Sequence, residues 1–318
     1  NRIRVGYPDM QGHLTLRKDQ SCAGLEYSYN DEGFCYKRRY FGMDSTLAYV
    51  FGACGTNLEY DNNGYLKKQI YVNAKDQLTY YKDVENGFAY AIMECENDEH
   101  GNILQFKMLD AEGKFIESPK YSGFVCTYDS VGRELTRYFL NEKGQISISP
   151  AEGYAGYEAS FDSQGRLHSL IYKDEKKKPI SLKKEKYSST RYAYDQRGNL
   201  SKLEYLDEKL QPATSNTGIS FLTREYDENG NCSAYAYFDK QGRPCVMTNF
   251  CARVEYTYDT DGNQTMERYL DTAGKLMSVG GTAYIEYKYD NRGNMVSERA
   301  MTASATLAKL EICYAYDH

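Results

Sequence analysis

Tryptophan is absent from the 318 residues, no two cysteines form a Cys-x-x-Cys pair, no polybasic face is present, and the longest run free of charge and strong polarity is Leu47 to Cys54. That run falls far short of the roughly 20 residues a spanning helix needs, so no membrane span is expected. Lys and Arg number 39 against 45 Asp and Glu, a formal charge of −6. Nucleic-acid binding by phosphate neutralisation needs clustered cations, and this acidic balance argues against it. The nine cysteines, at 22, 35, 54, 95, 126, 232, 245, 251 and 313, are odd in number and lack metal-ligand spacing. They fit neither a disulfide scaffold nor a zinc site and are expected to be small buried hydrophobes. The chain starts at Asn1 without an initiator Met or an apolar signal region, so any targeting segment is expected to have been removed or never to have existed.

What the chain has in quantity is repetition. An aromatic-Asp-x-x-Gly motif recurs with its Asp place filled by Asn30, Asp61, Asp98, Asp129, Asp162, Asp195, Asp227, Asp259, Asp290 and Asp317, a period near 32. Three residues on stand Gly33, Gly64, Gly101, Gly132, Gly165, Gly198, Gly230, Gly262 and Gly293, and the preceding residue is Tyr or Phe in every copy but Asn97. A second turn follows at an offset of 12, at Asn73, Asp110, Asn141, Asp174, Asp207, Asp239 and Asp271, and an aromatic commonly stands two residues before it. Only the stretch from the second turn to the next copy varies in length, so insertions belong there.

Asp or Asn opening a turn accepts a backbone N–H two residues on, and Gly at the fourth place tolerates a left-handed backbone. The pairs Asp61/Gly64, Asp129/Gly132, Asp195/Gly198, Asp227/Gly230, Asp259/Gly262 and Asp290/Gly293 are therefore read as structural turns, each reversing one strand onto the next. Period-2 alternation such as Val254, Tyr256, Tyr258 marks half-buried strands. One hairpin is too small to bury its aromatic stripe, whereas stacked copies supply each other's core.

The expected fold is all-β: an elongated tandem array of antiparallel hairpins, solenoid-like or a continuous twisted sheet, with few short helices. Helix is expected only as short pieces in the variable connection or near Ser304 to Glu311, where the second turn reads as lost and Ala, Leu and Lys favour helix. The chain reads as a single array of about nine units, 27–57, 58–94, 95–125, 126–158, 159–191, 192–223, 224–255, 256–286 and 287–313, flanked by partial units 1–26 and 314–318. Tyr7 to Gly12 reads as the second turn of an earlier copy, and Tyr314 to His318 as the opening of a later one. An excerpt of a longer array is expected, continuing end to end into further repeats.

Recurring Tyr-x-Tyr-Asp-x-x-Gly-Asn, as in Tyr256 to Asn263 and Tyr287 to Asn294, resembles the tyrosine-aspartate (YD) repeats of the bacterial RHS and eukaryotic teneurin families. It is also similar to hairpin repeats of bacterial cell-surface proteins. The resemblance implies long β-sheets serving as containers or as adhesion and carbohydrate-contact surfaces, at a bacterial surface or in secreted form. This chain departs from those families in its longer period and its second turn at a fixed spacing.

Nucleophile elbows, Walker loops, HExxH helices and GxGxxG fingerprints are missing. His13, His100, His168 and His318 are far apart at turn positions, and the many carboxylates arise from turn chemistry. Asp-x-Asp-Gly-Asn at 259–263 and Asp-x-Asn-Gly-Asn at 227–231 lack the later ligands of an EF-hand loop. Lys173 to Lys186, with seven lysines and three acids, reads as a solvated loop. No catalytic residue, cofactor or metal is therefore expected. Tyrosines flanking the first turn are expected to be core, while Tyr121, Tyr154 and Tyr187, on the variable connections, are the candidates for sugar or peptide contact. The expected function is a non-catalytic scaffold presenting an extended surface to a glycan or protein. The alternative is an accessory or carrier array for a separate catalytic or toxin domain.

Overall fold

The computed structural model describes residues 1–9, 11, 13–16, 22–85, 87–308 and 311–315. The described residues are all-β, with no helix among them, so the short helical pieces expected in the variable connections are replaced there by turns, bridges and one short ribbon. They fall into two compact units, Asn1–Glu158 with Lys173–Lys178, and Ala159–Tyr172 with Pro179–His318.

The first unit holds β1 (Arg2–Gly6), β2 (Gly24–Tyr29), β3 (Cys35–Phe41), β4 (Gly55–Tyr60), β5 (Leu66–Val72), β6 (Tyr81–Asp83), β7 (Phe88–Tyr90), β8 (Ile92–Asn97), β9 (Ile103–Leu109), β10 (Gly123–Tyr128), β11 (Glu134–Leu140) and the first half of β12 (Gly156–Phe161). Each strand pairs antiparallel with the next, except that β5 continues to β8 while β6 and β7 form a separate ribbon. That ribbon lies in the longest variable connection, where an insertion was expected. The second unit takes the rest of β12, most of β13 (Leu167–Lys173), and β14 (Ser189–Tyr194), β15 (Leu200–Leu206), β16 (Phe221–Tyr226), β17 (Cys232–Phe238), β18 (Arg253–Tyr258), β19 (Gln264–Leu270), β20 (Tyr284–Tyr289), β21 (Met295–Met301) and β22 (Ile312–Cys313). From β13 onward these too pair antiparallel in sequence order. The expected tandem antiparallel hairpins are thus present in both units.

One bonding scheme recurs at the described first turns from Asp61 to Asp290, and Asn30 keeps its Phe34 and Gly33 bonds. At Asp259 the carboxylate accepts the N–H groups of Asp261 (3.0 Å) and Asn263 (2.9 Å), and the Gly262 N–H (φ +86°) reaches the Asp259 carbonyl at 3.2 Å. The second carboxylate oxygen takes the Asn263 side-chain amide at 3.0 Å. Just before the turn the register shifts between Thr257 and Tyr258, the bulge that accommodates the extra residue.

The second turns repeat the scheme, yet five lack glycine at the left-handed place: Ser45, Asp76, Lys177, Leu210 and Ala305 all have φ between 58° and 63°. Ala305 belongs to the segment expected to be helical. Instead Thr302 takes the Asp place, its hydroxyl accepting Thr306 N–H at 3.2 Å and its carbonyl accepting Ala305 N–H at 3.1 Å. Met301 then bridges Leu307 as in the other copies. Helix propensity at Ala and Leu loses to this turn and its pairing, so the helix expectation at 304–311 is corrected over 304–308, while 309 and 310 lie outside the described residues. At the start, Asp9 accepts Gln11 and His13 N–H groups as a second turn should. Met10, Gly12 and the turn expected at 316–318 lie outside the described residues.

Two columns tie one hairpin to the next within each unit. The tyrosine before the turn Asp donates its hydroxyl to the carbonyl five residues past the preceding copy's Asp: Tyr60 to Cys35 (2.8 Å), Tyr128 to Ile103 (3.0 Å), Tyr194 to Leu167 (2.9 Å), Tyr226 to Leu200 (3.0 Å), Tyr258 to Cys232 (2.8 Å) and Tyr289 to Gln264 (3.0 Å). Asn97, the exception to the aromatic rule, puts its amide on the equivalent Leu66 carbonyl at 3.0 Å. The other column is of small, fully buried residues entering each hairpin, namely Ala23, Cys54, Ala91, Ser122, Ala155, Ser188, Ser220, Ala252 and Ala283. Each donates to the end of its own return strand, as Ala252 does to Leu270, and most accept from the preceding copy, as Ala252 does from Tyr237. In some copies there is no room beside them, since a Cβ at the adjacent Gly123 would stand 2.3 Å from the Phe106 carbonyl oxygen, whereas Ile92, Phe221, Arg253 and Tyr284 fill the equivalent place elsewhere.

Candidate functional site

The tyrosines expected at a ligand surface occupy equivalent places, each immediately before a small buried residue. Tyr121 is half-buried and stacks on Phe139 (centroids 5.0 Å apart, 10° between planes), and Tyr154 lies 5.6 Å from the same ring. Tyr187 stacks on Tyr205 at 4.7 Å. Burial raises all three phenol pKa values, that of Tyr154 to about 12. The structure therefore places Tyr121, Tyr154 and Tyr187 in the aromatic packing of their units.

The turn residues Asp61, Asp129, Asp195, Asp227, Asp259 and Asp290 are not gathered into a site. Each carboxylate is occupied by N–H groups of its own turn, as at Asp227, which takes Asn229 and Asn231 N–H groups and the Asn231 amide. The Asn231 side-chain bond leads in holding the Asp227 carboxyl below the ordinary range. The remaining lone pairs offer little to a reaction. His13, His100 and His168 are exposed and stand on different turns and strands, and His318 lies outside the described residues.

Aromatic rings that do face water on variable connections lie instead in the first unit, at Tyr49, Phe51 and Tyr80. Phe51 is the unusual one. Val50 and Ala53 exchange both backbone hydrogen bonds (2.7 and 3.1 Å) around a two-residue turn in which Phe51 has φ +50° and Gly52 φ +94°. Two successive positive φ values define a type I′ turn, whose first place suits Asn, Asp or Gly. The equivalent turn between Val279 and Thr282 is made by Gly280 (φ +59°) and Gly281 (φ +91°). A bulky residue in this conformation is an outlier with a conformational cost, which points to a role for its ring.

The Phe51 ring is 43% exposed and meets Tyr81 edge-on at 5.6 Å. Tyr81, from the inserted ribbon, stacks on Tyr71 at 4.8 Å, and the ribbon docks through Lys82 N–H on the Phe51 carbonyl at 2.7 Å. Together with Tyr27, Tyr40 and Arg38, Phe51 and Tyr81 wall a cleft of about 370 Å³. The Arg38 guanidinium lies 5.7 Å from the Tyr27 ring centre. Burial raises the phenol pKa of Tyr27 and Tyr40, and the Arg38 charge partly offsets it. Composition did not single out this place; the signal available was a Phe-Gly pair at the offset where another copy has Gly-Gly.

No family model matches the chain, and no curated protein matches it. Among solved structures it is similar to a TcdB2-TccC3-TEV complex (14% identity, TM-score 0.33, covering 92% of this chain and 15% of that one). It is also similar to the Photorhabdus luminescens Tc holotoxin pore (13% identity, TM-score 0.35, covering 98% of this chain and 18% of that one). A porin-like protein from Bacteroides uniformis matches at 11% identity and TM-score 0.20, covering 76% of this chain and 86% of that one. The chain spans less than a fifth of the first two, and at these values the comparison identifies no family.

Proposed function

We propose that the chain is a non-catalytic repeat scaffold whose first unit holds a glycan or protein surface against Phe51 and its neighbours Tyr49 and Tyr80. The observation that carries this reading is Phe51 itself, a large ring kept half in water at a backbone angle that Gly280 supplies elsewhere without strain. Flat rings pack on the C–H faces of sugars and on apolar protein surfaces, and they lose little conformational entropy in doing so. A scaffold of this kind would act at a bacterial surface or in secreted form, where extended glycans are met. The turn carboxylates, already committed to backbone donors, favour a binding role over acid–base chemistry.

Phe51→Gly separates function from stability. Removing the ring while relieving the turn is expected to leave the melting temperature equal or higher and to abolish binding on a glycan array or to a cell-wall extract. Binding that survives both Phe51→Gly and Tyr49→Ser, or an array on which the unaltered chain is silent, would refute the reading.

A further inference from the structure

Arg38 has a surrounding unlike that of the other cations near it. Lys37 and Arg39 both pair with Asp76, whereas Arg38 has no ion pair among the described residues. Its Nε is buried without a hydrogen-bond partner. Three other arginines have a buried Nε that makes no hydrogen bond, but Arg268 reaches Glu255 through a terminal nitrogen, and Arg299 pairs with Glu286 and, through its Nε at 3.7 Å, with Glu311. The third, Arg224, lines a cleft together with Asp195, Glu225, Asp227 and Glu228, so its field is compensated. Arg38 faces a cleft whose lining carries no carboxylate and is walled by the rings of Tyr27, Tyr40, Phe51 and Tyr81; its side chain bonds the Tyr40 hydroxyl, and Asp83 and Glu85 act on Tyr81 from outside the lining.

From this we infer that the Phe51 cleft binds a sugar ring bearing a carboxylate, with Arg38 pairing the carboxylate and the aromatic walls taking the ring. The inference rests on the binding role proposed above and names its ligand class. A single guanidinium balances a charge of −1 and matches the planar geometry of a carboxylate, through two parallel N–H bonds where both donors are free. A phosphate monoester carries nearer −2 and would require a second cation, yet Lys37 and Arg39 are already engaged. Around the charge, the phenol hydroxyls of Tyr27, Tyr40 and Tyr81 can exchange hydrogen bonds with ring hydroxyls, while the Phe51 face accepts C–H groups.

The test is titration calorimetry or saturation-transfer NMR with trigalacturonic acid, its methyl ester and sodium benzoate, on the unaltered chain and on Arg38→Gln and Arg38→Lys. The expected result is binding of the acid, with affinity lower by about tenfold or more for the ester and for Arg38→Gln, and an intermediate loss for Arg38→Lys, which keeps the charge without the fork. Equal binding of acid and ester to the unaltered chain overturns the inference without depending on any variant folding. Benzoate binding as tightly as the acid, or Arg38→Gln binding unchanged, overturns it as well. If acid sugars fail to bind while a neutral glycan or a protein still binds in a Phe51-dependent way, this inference falls and the scaffold role stands.

Discussion

Phe51, Leu210 and Asp76 each hold a left-handed backbone without being glycine, and the consequence of removing each side chain follows from what that side chain touches. Left-handed strain at a residue with a Cβ costs roughly 1–2 kcal/mol, and glycine costs about 0.4–1 kcal/mol through the unfolded chain. Leu210 contributes an aliphatic chain that is 42% exposed. Leu210→Gly is therefore expected to stabilise by about 0.5 kcal/mol, read as a higher urea midpoint. Asp76 is different because Arg39, 5% exposed, places its Nε and a terminal nitrogen 3.1 and 2.6 Å from the Asp76 carboxylate. Its other terminal nitrogen donates to the Arg38 and Thr56 carbonyls, and the one on Asp76 also donates to Asn57 Oδ1, so the guanidinium cannot swing out to water without losing them. Asp76→Gly removes the counter-ion of a buried cation. Discounted for the half-exposed carboxylate, the net loss is expected to be about 2 kcal/mol. Equal signs for the two substitutions would show that backbone strain, and not the ion pair, governs this turn place.

Within a hairpin, the tyrosine before the turn Asp combines ring burial with a hydroxyl bond to the neighbouring copy. Tyr128→Phe keeps the ring and removes the bond to the Ile103 carbonyl. A loss of about 1 kcal/mol is expected in chemical denaturation, and no loss would reduce the tie to a bystander of ring packing. Phe161 stands at the same place in its own copy, so the ring alone is compatible with the fold. The hairpins themselves were legible because Asp-x-x-Gly and period-2 alternation are local rules, and the fixed offset of 12 disclosed the second turn. The hydroxyl ties and the small column were not, since both depend on residues distant in sequence meeting across copies, such as Tyr128 with Ile103, 25 apart, and Tyr237 with Ala252, 15 apart. The Ser304 region failed for a related reason: Thr302 closes a turn that composition assigns to helix. Tyr121, Tyr154 and Tyr187 were placed on connections correctly, but their ring partners Phe139 and Tyr205 come from strands that sequence spacing does not bring beside them.

Across the whole molecule the two repeated chemistries set opposite pH limits. Asp98, Asp129, Asp162, Asp195, Asp227, Asp259 and Asp290 all have carboxyl pKa values below the ordinary 3.8, held there chiefly by hydrogen bonds from the turns they close. A group with a depressed native pKa contributes stability that is present above 3.8 and is lost as pH falls through the native value. Tyrosines run the other way. Burial first raises Tyr128, Tyr154, Tyr237 and Tyr287 from 10.0 to about 12. Their contribution is complete below pH 10 and disappears as pH climbs from there through about 12. Stability measured by denaturation should therefore form a plateau, with an acid limb below pH 4 and an alkaline limb above pH 10. Asp227→Asn tests the acid limb, because Asn retains an acceptor for the Asn229 and Asn231 N–H groups, as Asn30 does for Phe34. Asn cannot supply the second carboxylate oxygen that takes the Asn231 amide, so the variant should lower the plateau by the carboxylate's contribution, leave the acid end unchanged and show a shallower acid slope. An acid limb that stays identical in Asp227→Asn would assign it to carboxylates outside the repeated turns.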